Sequence, residues 1–342
     1  MNISDIKYNE IQYDFSSSLN PFGMPLAVKK AVLEAAKNCT NPIDSRYDNL
    51  RRFISYYEEF PESNIAIGSG GDDMIYRICA AIRPKKAMIF SPCSPEYCRA
   101  LEQNGCSVTD IRLSMKNNFK LMSEVAEFID YDTDLIILNN PCDPTGEVIS
   151  PYTLGAIAEK CRRTNTIIVC DERYMDFVNG VVRYSVSRFK GIRFILVKSF
   201  TRMFAMAGIP VGYALCSHRT MSDVLRSTGA PHSVSVPALA AAETAVGMRK
   251  YMRLTQKYIE IERNRLSVSL TNLGVRVYPS KSSVFMIKSD LPLDMLLRRR
   301  GILIKNCAEA YDLDEGYFRI AVGLKENNDI LLDTLGKIIQ MF

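Results

Sequence analysis

The 342-residue sequence has only two histidines, His218 and His232, and no long apolar run. So few histidines make a serine or cysteine triad a poor expectation. No stretch approaches eighteen uninterrupted apolar residues, and the N-terminal residues contain no apolar signal core. The sequence therefore predicts neither export nor a membrane-spanning helix.

The ten cysteines lack the spacing of a metal site. No CxxC pair occurs, and most cysteines, such as Cys79, Cys170 and Cys216, lie inside apolar runs. We therefore expect reduced, buried thiols in a cytoplasmic protein, and no metal site. The formal net charge of +5 is modest and spread along the chain, so it gives no reason to expect a nucleic-acid partner.

Seven short β-rich runs lie between Asn64 and Cys216, with helical patterns between several of them. They are NIAIGSG, AMIFSP, CSVTDIRL, DLIILNNP, TIIVCDER, RFILVKSF and VGYALC. Near-continuous apolar runs, rather than alternating ones, are typical of strands covered on both faces. We predict an α/β fold with a mostly parallel seven-stranded sheet and helices on both faces.

The pattern changes after Pro237 to a long helical stretch that ends at Gly274. Short strands mixed with helices follow it, which predicts a smaller C-terminal α+β domain. A chain of this length favours one large domain with a smaller one. We therefore predict an N-terminal arm over residues 1–25, a large α/β domain over 26–235 and a small domain over 236–342.

Glycines and polar residues follow several strands, where open α/β sheets bind ligands. The segment GSGGDD opens a helical pattern, and the free N–H groups of a helix N-terminus suit a phosphate. It fits a tight turn equally well, with Asp72 and Asp73 settling the helix start, and it lacks the third glycine of GxGxxG. Asp171 is the kind of strand-end carboxylate that caps a helix or holds Mg²⁺, but the sequence has no GxxxxGK[ST] loop.

The order of the motifs carries more information than any one of them. The segments are DFSSSLNPFGMP, SRYDNLRRF, GSGGDDMI, SPEYCRAL, NNPCDPTGEV, CDERYMDF, SFTRMFAMAGIPVGY, RRGILIKNCAEAYDL and YFRIAVGLKENN. In this collinear order the chain resembles fold-type I pyridoxal-phosphate enzymes of the histidinol-phosphate aminotransferase group, and above all their threonine-phosphate decarboxylase branch. The resemblance covers nearly the whole chain. It implies pyridoxal 5'-phosphate as cofactor, a phosphorylated amino acid or related anion as ligand, and a homodimer.

The resemblance also implies a site. Asp171 matches the carboxylate that keeps the pyridine nitrogen protonated, and Tyr174 matches the tyrosine that bonds the phenolic oxygen of the ring. The other cofactor positions are Ser69, Gly70, Gly71, Ser199 and Thr201 at the phosphate, Tyr97 and Asp143 near the ring, and Tyr47 from the partner subunit. Asn20 and Arg319 are the substrate-binding positions, with Arg319 holding the acidic end of the substrate.

Four positions depart from the family pattern. Arg202 stands where the family has the lysine that forms an imine with the cofactor, and a guanidinium keeps its proton at any ordinary pH. Asp143 replaces an amide, Pro210 replaces a phosphate-binding arginine, and Ser94 falls where an aromatic ring usually stacks. Lys198 is not expected to replace the lysine, because its place in the strand aims it differently.

These departures predict weak cofactor binding that is not covalent at residue 202. We expect an activity that is changed or lost; a non-catalytic binding or partner subunit and an active pyridoxal-phosphate aminotransferase or decarboxylase remain as alternatives. The acid at 143 and the base at 202 also predict a salt bridge. We expect Asp143 and Arg202 to lie within about 4 Å, and Asp171 could add a third member.

Overall fold

The structure is a computed structural model that describes residues 11–40 and 47–341. Its strands are β1 (Tyr13–Asp14), β2 (Ile65–Gly68), β3 (Lys86–Ser91), β4 (Ser107–Arg112), β5 (Leu135–Asn139), β6 (Ile167–Asp171), β7 (Arg193–Ser199), β8 (Gly212–Cys216), β9 (Arg276–Val277), β10 (Val284–Lys288), β11 (Ile302–Leu303), β12 (Lys305–Asn306) and β13 (Tyr317–Ala321). Its α-helices are α1 (Leu26–Ala36), α2 (Asp48–Glu58), α3 (Gly70–Ile82), α4 (Pro95–Glu102), α5 (Pro151–Thr164), α6 (Phe200–Met203), α7 (Arg219–Ser227), α8 (Val236–Ala245), α9 (Arg249–Asn272), α10 (Leu293–Arg298), α11 (Cys307–Tyr311) and α12 (Lys325–Ile339). No helix in these described ranges combines the length and apolar character needed to cross a membrane.

The largest sheet has seven strands in the order β2-β8-β7-β6-β5-β3-β4. Strand β8 runs antiparallel to its neighbours β2 and β7, and the other pairings are parallel. The predicted mostly parallel seven-stranded sheet is therefore confirmed, and each of the seven β-rich runs contributes one strand.

Two hydrophobic cores cover the two faces of this sheet. Successive residues of a strand point to opposite faces, and in β6 Ile168 belongs to one core while Val169 belongs to the other. Helices α3 and α4 pack on the face of Val169, and α5 packs on the face of Ile168. Burial on both faces explains why strands such as β5, β6 and β8 are apolar throughout instead of alternating. The edge strand β4, with the sequence SVTDIR, has no buried residue.

The C-terminal part contains a second, four-stranded antiparallel sheet in the order β12-β13-β10-β9. The helical stretch before it ends at Gly274, as expected, with a positive φ of 81°. It is not continuous, however, because residues 246–248 separate α8 from α9, and Gly247 lies in this break, where a residue of low helix propensity is tolerated. The proposed domain boundaries themselves stay a prediction.

The N-terminal segment is held against the C-terminal part. Strand β1 pairs with β11 in parallel register, with Tyr13 opposite Ile302, and the Phe15 carbonyl accepts a 2.9 Å hydrogen bond from the Ala321 amide. The chain after β1 is thereby directed across the carboxyl edge of the large sheet.

At that edge, the start of β8 packs directly on the start of α3. A Cβ atom added to Gly212 would lie 2.5 Å from the carbonyl carbon of Gly70. Real Cβ atoms essentially never approach backbone this closely, so only glycine allows the helix N-terminus to sit against the sheet.

We expect Gly212→Ala to lower the free energy of unfolding by roughly 2–3 kcal/mol, at the upper end of the ordinary range for point substitutions. The backbone of α3 would have to move to make room for the methyl group. Gly208→Ala is the matched control, because nothing lies within 4 Å of a Cβ at that position. Urea denaturation of both variants tests this; equal stability losses would show that the close approach is unimportant.

Candidate active site

The carboxyl ends of β6 and β7 meet the N-terminus of α3. Ser69 caps this helix and Gly70 and Gly71 begin it, while Asp171 ends β6 and Ser199 ends β7. The structure therefore brings the strand-end residues selected from the sequence to one edge of the sheet, as expected for ligand sites of α/β folds.

Asp171 is buried and saturated with hydrogen-bond donors. The Tyr97 hydroxyl donates to its Oδ2 at 2.5 Å. The Arg173 guanidinium donates through Nε to both carboxylate oxygens at 2.9 Å, and through Nη2 to Oδ2 at 2.6 Å. Burial raises the pKa of Asp171, but the Arg173 charge and these hydrogen bonds outweigh burial and lower it. The carboxylate is thus fully compensated within the chain.

Arg173 was not among the residues predicted from the sequence. Its side chain is 10% exposed, and Nη1 donates to Asp72 at 2.5 Å. Its stem lies on Gly71, where an added Cβ would be 2.0 Å from the Arg173 Cδ. Arg173 therefore links Asp171 to the first turn of α3. The available signal was a basic residue two positions after a strand-end aspartate.

Asp143 forms its ion pair with Arg319 of β13. Nη1 of Arg319 donates to both carboxylate oxygens, at 2.7 and 3.0 Å, and to the Tyr311 hydroxyl at 2.9 Å. The Tyr174 hydroxyl also donates to Asp143 at 3.0 Å. Burial raises the pKa of Asp143, but Arg319 and then Arg202 act against it and lower the pKa to about 2. The carboxylate stays ionised at any ordinary pH.

The predicted salt bridge between Asp143 and Arg202 is wrong. The guanidinium carbon of Arg202 lies 4.3 Å from the centroid of the Tyr174 ring, and Nη1 donates to the Ser18 hydroxyl. Within residues 11–40 and 47–341, Arg202 makes no ion pair. Arg319 of the second sheet forms the ion pair with Asp143 instead. Asp171 is not part of this ion pair, because it is paired with Arg173.

Tyr174, Ser18 and Arg202 form one contiguous group. The hydroxyls of Ser18 and Tyr174 share a hydrogen bond of 2.6 Å, and both residues are buried. Ser18 comes from the N-terminal segment that β1 directs across the sheet edge. It was missed because the sequence DFSSSLNP offers three serines and no periodic pattern to choose among them.

Asn20 lies next to this group, and its side-chain amide already donates hydrogen bonds to other residues of the chain. Its side-chain amide donates to the Met203 carbonyl at 2.8 Å and to the Thr255 hydroxyl at 2.9 Å. Its backbone amide donates to the Arg202 carbonyl at 2.9 Å. These contacts fasten the N-terminal segment to α6 and α9, so Asn20 positions Arg202.

Some of the hydrogen-bonding groups assigned to a phosphate also make hydrogen bonds within the chain. The Ser199 hydroxyl lies 2.9 Å from the Thr201 hydroxyl and 3.1 Å from the Val211 carbonyl. The Ser69 amide donates to Asp73 at 2.8 Å, so this aspartate does settle the helix start. A Cβ on Gly70 would lie 3.1 Å from Cβ of Pro210, which places an apolar ring at the helix start.

Tyr47 is buried in its own chain. It is 7% exposed, and its hydroxyl accepts a 3.2 Å hydrogen bond from the Val234 amide. It precedes α2 with a left-handed φ of 52°. Its contact with the cofactor site of a partner subunit stays a prediction.

Lys198 is held away from the site by carboxylates. Its Nζ lies 2.6 Å from Glu58 Oε1, which also accepts the Tyr213 hydroxyl proton at 2.6 Å. Burial lowers the pKa of Lys198, but Glu58, Asp176 and Glu172 outweigh burial and raise it. A lysine that keeps its proton in this way is a poor nucleophile, in agreement with the expectation that Lys198 does not replace the family lysine.

Lys305 is a second cation that sequence reasoning missed. It lies directly opposite Arg319 in the pairing of β12 with β13, so both side chains share one face. Burial, Arg319 and Arg202 lower the pKa of Lys305, and Asp143 only partly opposes them. In the part of the chain that the structure describes, Lys305 has no carboxylate within ion-pair distance. Three cations, those of Arg202, Arg319 and Lys305, therefore interact with one carboxylate. That carboxylate belongs to Asp143.

The chain matches class I and II aminotransferases over residues 10–335. It belongs to this family. Threonine-phosphate decarboxylase of Salmonella typhimurium is 28% identical over 95% of this chain and 91% of that protein. Histidinol-phosphate aminotransferase 2 of Archaeoglobus fulgidus is 26% identical over 95% and 92%.

The comparison with solved structures supports the same fold. Histidinol-phosphate aminotransferase from Clostridium acetobutylicum superposes with a TM-score of 0.90 at 23% identity, over 96% of this chain and all of that one. The aminotransferase fold predicted from the sequence is thus confirmed. The family uses pyridoxal phosphate. That Arg202 stands at the position of the family's imine-forming lysine stays a prediction from the order of the sequence motifs.

Removing each arginine of the site should have different consequences. Arg319→Ala leaves the buried Asp143 carboxylate without its partner and should lower the free energy of unfolding by roughly 3 kcal/mol or more. Arg202→Ala removes one hydrogen bond and a cation–π contact, for which we expect about 1–2 kcal/mol. Denaturant titration at pH 7 measures both.

The double variant Arg319→Ala with Asp143→Ala is the control, since it leaves no unpaired charge and should recover part of the loss. A larger loss for Arg202→Ala than for Arg319→Ala would contradict the assigned pairing.

Proposed function

We propose that this aminotransferase-family chain holds a small phosphorylated amino-acid type anion and does not form the imine on which the chemistry of its family depends. The observation that carries the proposal is the placement of Arg202. Its guanidinium carbon lies over the Tyr174 ring and its Nη1 donates to the Ser18 hydroxyl. An imine requires a neutral amine, which this side chain does not supply.

The residues present do not fit pyridoxal phosphate held as the family holds it. The Tyr174 hydroxyl, which would bond the ring, is engaged by Ser18 and Asp143. Pro210 offers no charge to a phosphate and packs beside Gly70. A charge-assisted hydrogen bond from an arginine to a phosphate stabilises the complex by about 1.5–3 kcal/mol. With proline at position 210 that hydrogen bond is missing, which lowers the affinity for the cofactor.

An excess of positive charge supports an anionic ligand. Asp143 compensates Arg319, which leaves Arg202 and Lys305 without a carboxylate partner among the described residues. Like charges directly opposite one another in a sheet are destabilising, and an anion beside Lys305 and Arg319 would relieve that repulsion. Arg202 and Lys305 together match the two negative charges of a phosphate monoester.

The curated relatives are consistent with this ligand class. Threonine-phosphate decarboxylase and histidinol-phosphate aminotransferase are both named for phosphorylated compounds. We further propose a cytoplasmic homodimer, as the resemblance implies. Ten free cysteines fit a reducing compartment, and exposed apolar side chains on α1 and α2, including Leu26, Leu33 and Tyr56, fit a covered face.

Calorimetric titration with O-phosphothreonine tests the proposal. The unmodified chain should bind it without added cofactor, and Arg202→Ala and Lys305→Ala should each weaken binding about tenfold or more, since each removes a charge-assisted contact. Lys250→Ala, an exposed basic residue of α9, is the control and should bind normally. Light scattering of the same sample should give twice the chain mass of 38.6 kDa.

Two outcomes would contradict it. Threonine that binds as tightly as O-phosphothreonine would show that the phosphate is not recognised. Unchanged affinity in both variants would show that the anion lies elsewhere.

A further inference from the structure

The side chain of Arg173 lies between the end of β6 and the first turn of α3. In the arrangement implied by the family resemblance, the ring nitrogen meets Asp171 and the phosphate meets the N-terminus of α3. The ring must then lie between these two points. Arg173 spans the same interval, because its guanidinium bonds Asp171 at one side and Asp72 of α3 at the other.

Arg173 supplies charge through its guanidinium, and its aliphatic stem fills space. Its Cδ and Nε would lie 2.0 and 2.8 Å from a Cβ on Gly71, so the side chain rests on bare backbone at the helix start. Only a residue without a side chain at position 71 permits this contact. The guanidinium is one-tenth exposed and the carboxylate beneath it 3% exposed, so little water separates them.

In the arrangement implied by the family resemblance, the cation next to Asp171 is the protonated pyridine ring. In this chain the cation next to Asp171 is Arg173. A protonated pyridine ring would donate one hydrogen bond to the strand-end carboxylate. Arg173 donates through two nitrogens and its backbone amide at 3.1 Å, and Tyr97 completes the set. A bidentate arginine pair is stronger than a single charge-assisted contact, and a ring would have to break it in a buried setting.

We propose that Arg173 is an internal replacement for the cofactor ring: its guanidinium takes the cation position on Asp171, and its stem closes the space over Gly71. The inference goes beyond the absence of imine chemistry. Arg173 excludes pyridoxal phosphate both as a covalent and as a non-covalent ligand. A lysine introduced at position 202 is therefore insufficient to restore binding of the cofactor.

The first test measures non-covalent binding of pyridoxal phosphate by equilibrium dialysis and by the shift in melting temperature. Arg173→Ala should bind the cofactor at least tenfold more tightly than the unmodified chain and should melt at a higher temperature in its presence. Arg173→Gln is the matched control, because glutamine keeps most of the stem over Gly71 and a donor toward Asp171. It should bind no better than the unmodified chain.

Arg173→Ala leaves Asp171 buried without its cation, which can prevent folding. The double variant Asp171→Asn with Arg173→Ala removes both charges and opens the same space. It should also bind pyridoxal phosphate more tightly than the unmodified chain. If a folded variant with alanine at 173 binds no better than the unmodified chain, or if the unmodified chain already binds tightly, the inference is wrong.

The second test compares Arg202→Lys with the double variant Arg202→Lys and Arg173→Ala. After incubation with pyridoxal phosphate and borohydride reduction, peptide mapping locates the adduct. We expect at least tenfold more adduct at residue 202 in the double variant. Equal labelling of the two variants would overturn the inference about Arg173 while leaving the proposed anion binding, which is measured without cofactor, unaffected.

Discussion

A carboxylate buried at the end of a parallel strand has to be compensated, because an uncompensated ion in a dry site costs several kcal/mol. Asp171 at the end of β6 is such a carboxylate, and Asp143 in the loop after β5 is a second, largely buried one; their side chains are 3% and 13% exposed. Each is paired with an arginine of the same chain. Arg173 and Arg319 thereby fix the loop after β6, the start of α3 and the approach of the second sheet.

This compensation changes the meaning of three residues that the resemblance in sequence assigns to the family site. Asp171, Tyr174 and Arg319 are present, and by sequence alone they indicate a working site. In the structure, Asp171 and Arg319 both have ionic partners within the chain, and the Tyr174 hydroxyl is shared between Ser18 and Asp143. Among the residues that the structure describes, Arg202 and Lys305 have no carboxylate within ion-pair distance, which is why we propose an anion as the ligand class of the site.

Much of the fold could be predicted from the sequence because its signals are local. Apolar runs buried on both faces indicated the seven strands, and the collinear motifs placed Ser69, Asp171 and Ser199 at their ends. The pairing of Asp143 could not be predicted, since Arg319 comes from a different sheet 176 residues away. The role of Arg173 could not be predicted either. Its sequence position is only two residues after Asp171, but whether an arginine turns inward depends on the space left by Gly71.

This chain keeps the aminotransferase fold, and we propose that it has no amine able to form the family imine. The most direct measurement is to incubate the unmodified protein with pyridoxal phosphate, reduce with borohydride and map any labelled peptide. We expect no adduct on a lysine of the site, because Lys198 is held in its ion pair with Glu58 and Arg202 has no amine that can form an imine. Stoichiometric labelling of Lys198 or Lys305 would contradict it and would identify a lysine that replaces the missing one.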